Sequence, residues 1–201
     1  MADVIDEEVP VDGRALRSVR SRRAVVEAFL DLVYEGEVQP TAQQVAERSG
    51  VSASTIFRLF EDLEGMHAEA LAAQVARVAD LLKQVPPRGT LEYRVEQLVR
   101  ARGRLFDEVA PLMRFQGRSA ATSAGACSNQ TAVNRYFRTE LADLFADELA
   151  SAPPLTLDAV DALASWEMWE RLRTIQGLSA RNAEDTISGL LLHSLSQDDG
   201  T

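Results

Sequence analysis

"TAQQVAERSGVSASTIFRLF", residues 41–60, is the stretch that decides the fold. Thr41 leads a short helical pattern, and Gln44 follows at the spacing of a capping box. Val45 and Ala46 face inward, and Ser49-Gly50 ends the pattern. Ser52 then opens a second helix whose apolar residues are Ile56, Leu59 and Phe60. Gly50 offers the positive φ that a tight turn needs. Ala46 is small where the two helices would cross, and Val51 and Ile56 can plug the gap between them. The unit reads as a helix-turn-helix. Its outer face carries Ser52, Ala53, Ser54, Thr55 and Arg58: short hydroxyls and one long cation. Such a face fits a major-groove wall and offers bonds to phosphates and base edges. An ordinary helical hairpin inside an all-α protein has the same local pattern, so this stretch alone leaves both readings open.

Charge distribution favours the first. The chain has 201 residues and a formal net charge of −10, which by itself argues against a nucleic-acid partner. Exposed charges, however, act only over about 8 Å at physiological salt. Residues 1–12 hold Asp3, Asp6, Glu7, Glu8 and Asp12 and no base; residues 14–23, "RALRSVRSRR", hold five arginines and no acid. A basic arm thus follows an acidic tail. Arg17, Arg20 and Arg22 are expected along a phosphate backbone, with Thr41 and Gln43 adding contacts from the first helix of the pair. Between residues 38 and 60 only Glu47 opposes Arg48 and Arg58.

The rest of the chain also reads as helix, with no run alternating long enough to suggest a strand. Residues 1–13 read as a disordered acidic tail, 14–66 as a helix-turn-helix domain and 67–201 as a larger helical domain. Helix one is expected from about Arg17 to Tyr34, with Val25, Ala28, Phe29, Leu32 and Val33 on one stripe. A long helix should run from Leu63 to Val85 and stop at "PPRG". Thr90 can cap the next, to about Val109, followed by a short helix in "APLMRFQGRS" and a small-residue loop, "AATSAGACSNQ". Helices near 131–150, 157–176 and 181–196 complete the expectation. No stretch approaches 18 consecutive apolar residues and the N-terminus lacks an apolar signal core, so no membrane partner and a cytoplasmic location are expected. Cys127 is the only cysteine, which excludes an intrachain disulfide. His67 and His193 stand alone, without a Glu-x-x-His repeat. No metal, cofactor or catalytic residue is therefore expected, and an enzyme is disfavoured.

"TAQQVAERSGVSASTIFRLFEDLEGMHAEAL", residues 41–71, resembles the N-terminal DNA-binding domain of the TetR family of bacterial transcriptional regulators. The resemblance covers about residues 20–71. It rests on Thr41, Gly50-Val51-Ser52, Ser54-Thr55, Ile56-Phe57, Leu59-Phe60 and Asp62-Leu63-Glu64. It implies an all-α fold: a three-helix DNA-binding domain followed by a helical ligand-binding and dimerisation domain. It also implies a regulator, a repressor, bound to palindromic double-stranded operator DNA as a homodimer and released by a small-molecule inducer. Two departures stand out. Phe57 occupies a place where the family often has a phosphate-bonding tyrosine, and Leu63 one where a lysine is common. Phe57 remains a candidate contact, but it cannot donate a hydrogen bond.

The larger domain supplies the remaining candidates. Two apolar stripes on "LDAVDALASWEMWERLRTIQG" and the apolar residues of "AEDTISGLLLHSLS" exceed what one buried face needs. Trp169, Leu172, Ile187, Leu191 and Leu195 are accordingly expected in a twofold helical interface, which the resemblance also implies. In the middle helices, Arg102, Leu105, Phe106, Met113, Gln116, Phe137 and Trp166 read as core on periodicity alone. The resemblance makes them candidates for a partly apolar inducer site. The alternative to a regulator is a helical-bundle interaction module, or a ligand-binding protein, without specific DNA recognition.

Overall fold

The computed structural model describes residues 13–37, 39–78, 80–81, 88–119 and 124–196, without side-chain detail for 118, 119 and 124–132. Every regular element among them is helical. The polypeptide divides into two compact units, Met1–Ala73 and Gln74–Thr201.

The first unit is built on α1 (Gly13–Tyr34), α2 (Ala42–Ser49) and α3 (Ala53–Phe60), and α4 (Leu63–Arg77) begins in it. α1 starts four residues before the expected Arg17, so the arginine-rich arm is helical rather than an extended lead-in. Arginine and alanine are good helix formers, which favours this continuation. The acidic segment 1–12 lies outside the described residues. The apolar stripe of α1 is buried as its spacing requires, with Val25 and Phe29 fully enclosed.

Thr41 caps α2: its hydroxyl accepts from the Gln44 N–H at 3.2 Å, and Gln44 Oε1 accepts from the Thr41 N–H at 2.8 Å. Gly50 ends α2 at φ 69°, donating its N–H to the Ala46 carbonyl at 3.0 Å. That conformation costs glycine nothing and any side chain something. Ser52 caps α3, and Asp62 Oδ1 accepts from the Gly65 N–H at 2.8 Å to start α4. α1, α2 and α3 pack against one another. Val45, Ile56, Phe60, Met66 and Ala70 are buried with the α1 stripe. Each large side chain so enclosed contributes about 1.5–3 kcal/mol relative to exposure.

The second unit holds α5 (Leu91–Ser119), α6 (Ala124–Leu144), α7 (Ala146–Ala150), α8 (Thr156–Leu163), α9 (Trp166–Glu170), a π-helical turn (Arg171–Ile175) and α10 (Ala180–Leu195). Thr90 accepts from the Tyr93 N–H at 3.3 Å and so caps α5. The sequence places a break after Val109; instead α5 runs on through Pro111. Apolar packing of Leu105, Phe106, Ala110, Leu112 and Phe115 carries the helix past it. The expected loop at 120–130 is helical from Ala124 onward. The expected single helix over 157–176 breaks at Ala164-Ser165, where Ser165 Oγ accepts from the Met168 N–H at 3.2 Å and starts α9. α4 ends at Arg77; its expected end at Val85 lies outside the described residues.

α10 packs against α5 and α8, and α8 against α6. Val95, Leu98, Phe106, Leu141, Phe145, Val160, Trp169, Leu172, Ile187, Leu191 and Leu195 form one core. Gly103 makes room for it. A Cβ at this position would meet the Trp169 ring at 2.8 Å, so α5 and α9 approach closely only because residue 103 has no side chain.

Candidate nucleic-acid interface

α3 sets the geometry. Ile56 is 1% exposed and Phe60 3%, which defines its inward face. Helical spacing turns Ser54 and Arg58 outward and leaves Phe57 on the shoulder, 47% exposed. Ser52 Oγ lies 2.9 Å from Thr55 Oγ1 and 3.2 Å from Ser54 Oγ, so the three hydroxyls form one cluster at the helix start. Ala53 and Thr55 are half-buried; Ser52 and Ser54 are exposed.

The cations sort into paired and free. Residues 13–73 hold seven arginines against nine acids, so the unit is acidic overall and the placement of each arginine matters. Arg48 forks onto Glu35 at 2.8 and 2.7 Å. That bond holds the Glu35 carboxyl below its usual pKa and leaves Arg48 paired. Arg23 bonds Glu27 at 3.0 Å. Arg17, Arg20 and Arg58 are exposed and make no ion pair among the described residues.

Arg22, expected as a phosphate contact, is engaged within its own unit. Its Nε donates to both Glu69 oxygens at 2.6 and 2.8 Å, its Nη1 donates to the Leu59 carbonyl at 2.6 Å, and its guanidinium lies 4.7 Å from the Phe60 ring centre. It therefore ties α1 to α4 and supplies a donor to a carbonyl at the end of α3. No sequence spacing signals a pair 47 residues apart. Thr41 is likewise spent on its cap, and Gln43 Nε2 donates to Glu47 at 3.1 Å.

Beyond α3, Glu61 adopts φ 63° and ψ −51°, rare for a residue with a side chain, in a tight turn where the Asp62 N–H donates to the Phe60 carbonyl at 2.6 Å. His67 lies on α4, its ring 4.8 Å from that of Phe29. Burial lowers its pKa, with Glu64 and Asp62 opposing the shift.

The candidate effector residues lie in the second unit. Phe106 meets Phe137 and Trp166 edge-on, with ring centres 6.2 and 6.0 Å apart. Met113 and Gln116 are half-buried and share the Arg102–Phe106 face of α5 by helical spacing, whereas Leu105 is buried. Arg102 is not free for a ligand. Its guanidinium donates to Glu140 at 3.0 Å and to the Phe137 and Ala164 carbonyls at 2.9 and 2.8 Å. Arg94, two turns earlier, does the same for Glu148 and the Leu144 carbonyl at the end of α6. Both serve helix C-termini, whose last carbonyls lack intrahelical donors.

The expected interface residues also move. Trp169, Leu172, Ile187, Leu191 and Leu195 are all buried in the core of their own chain, with α5 and α8 packed against α10. Leu190, 41% exposed, and Ile175, 72% exposed, are apolar side chains left in solvent on the last two elements.

No family model matches the chain, and no curated protein matches it. Solved structures do. A TetR-family transcriptional regulator from Streptomyces coelicolor superposes with a TM-score of 0.68 at 19% identity, over 90% of this chain and 84% of that one. A TetR transcriptional regulator from Rhodococcus sp. RHA1 gives 0.50 at 22% identity, over 90% and 99%. The chain therefore has the all-α fold of these regulators.

Proposed function

We propose that the chain is a transcriptional regulator that binds a near-palindromic operator as a homodimer and is released by a small, partly apolar effector, acting as a repressor. The observation that carries this reading is the outer surface of α3, where Ser54, Phe57 and Arg58 stand out from a helix anchored by Ile56 and Phe60. A helix so presented suits the major groove. Arg17 and Arg20, exposed on the N-terminal turns of α1, supply the charge that an otherwise acidic unit lacks. The shared fold supports the same reading, and no described helix is long and apolar enough to cross a membrane.

In this proposal Arg58, Ser54 and Phe57 touch bases, Arg17 and Arg20 touch phosphates, Thr41 and Gln43 brace α2, and Ser52 and Thr55 brace the start of α3. The dimer face comprises Leu190, Gly189 and Ile175; nothing lies within 4 Å of a Cβ placed on Gly189, so a second helix has room there. The effector site is the Phe106, Phe137 and Trp166 group with Met113 and Gln116. A ligand there acts only if it binds the non-DNA-binding geometry more tightly. A gel-shift against the upstream region of the protein's own gene tests the proposal. Specific retention by the wild type, at least tenfold weaker in Arg58→Ala, upholds it. Equal binding by both variants, or none that survives competitor DNA, rejects it.

A further inference from the structure

Phe57 is an oddity on the α3 surface. Its neighbours in the hydroxyl cluster satisfy one another, and Arg58 supplies charge, yet Phe57 leaves about half of an aromatic side chain in water. An aromatic ring represents roughly 150–250 Å² of apolar surface, and leaving much of it uncovered forgoes its burial energy. The ring has no donor for a phosphate, and pressing it onto one would strip water from a charge without replacing the bond. Its place on the helix is the second clue. In the docking proposed above, with Ser54 and Arg58 toward the groove floor, the shoulder position falls at the margin of the groove beside one strand. There the C5 substituent of a pyrimidine projects, and the thymine methyl is the apolar group of the major groove.

We infer that Phe57 is a specificity-determining residue that packs against the C5 methyl of a pyrimidine in the bound half-site. The inference rests on the DNA-binding reading and deepens it. Thymine and 5-methylcytosine present the same methyl, so the chemistry recognised is a 5-methylpyrimidine in duplex DNA. The contact replaces a phosphate bond with a base-dependent one. It thereby shifts binding from affinity toward specificity.

The test uses the full-length protein and a duplex recovered from genomic DNA by its own binding. Each thymine is replaced in turn by uracil, which removes only the methyl. At one position per half-site the wild type should bind about three- to fivefold more weakly, the loss expected for one buried methyl. Phe57→Ala should bind both duplexes alike, and Phe57→Leu should keep part of the difference. At that position, 5-methylcytosine-guanine is also compared with cytosine-guanine. A similar gain shows that the methyl alone is read, and no gain assigns the contact to thymine; either upholds the inference if the uracil effect is present. Specific binding with a flat uracil scan overturns the inference alone, as does unchanged discrimination in Phe57→Ala. Absence of any sequence-specific binding removes the inference together with the reading beneath it.

Discussion

At the scale of single residues, the first unit is held by a few polar side chains whose partners lie far away in sequence. Arg22 joins Glu69 and the Leu59 carbonyl while covering Phe60. Arg22→Ala should lower unfolding stability by about 1–2 kcal/mol in urea titration, the size of a charge-assisted bond discounted for its partial exposure. Arg22→Lys should recover little, because an ammonium cannot fork across the same acceptors. His67 gives a pH signature. Its folded pKa lies below the ordinary value near 6.5, so the folded state takes up its proton less readily than the unfolded chain. Its contribution is intact above about pH 6.5 and is lost as pH falls through that value toward the lower folded pKa. Thermal unfolding at pH 7.5 and 5.5 should show a drop in Tm that His67→Phe reduces. An identical drop in the variant would assign the acid sensitivity to other groups.

At the scale of elements, α5 organises the second unit. It carries Arg94 and Arg102 to the ends of α6 and α8, and it yields at Gly103 to the Trp169 ring. Gly103→Ala should therefore cost about 1–3 kcal/mol through overpacking, despite alanine's better helix propensity. A stabilised variant in thermal unfolding would contradict that crossing. Element legibility follows the same physics. Caps announce themselves locally, so Thr41, Ser52 and Thr90 were readable from a hydroxyl and the helix behind it. The continuity of α5 through Pro111 was not readable, because proline's local penalty is overcome by burial of residues on either side. The break at Ser165 was hidden for the opposite reason. Apolar periodicity continues across it, while the Ser165 cap divides the helix. The outward face of α3 was legible because a short helix has few ways to bury Ile56 and Phe60. Which arginines remain free was not, since pairing of Arg48 with Glu35 and Arg22 with Glu69 depends on tertiary approach.

At the scale of the whole molecule, the proposal requires two reading heads and a small set of free cations. Light scattering should give twice the 22.0 kDa chain mass at micromolar concentration, and Leu190→Glu should shift it toward the monomer while weakening operator binding. A dimer unaffected by that change would place the interface elsewhere. Arg17→Ala and Arg20→Ala should each flatten the logarithmic salt dependence of DNA affinity by about one unit, uniformly across sequences. The central claim is that α3, presented twice, reads neighbouring grooves of one duplex. Hydroxyl-radical footprinting of the wild type and Arg58→Ala on the selected operator tests it most directly. The account predicts two symmetric protected half-sites about 34–36 Å apart on one face, lost in Arg58→Ala at equal protein concentration. A single protected patch, or an Arg58→Ala footprint indistinguishable from that of the wild type, would contradict it.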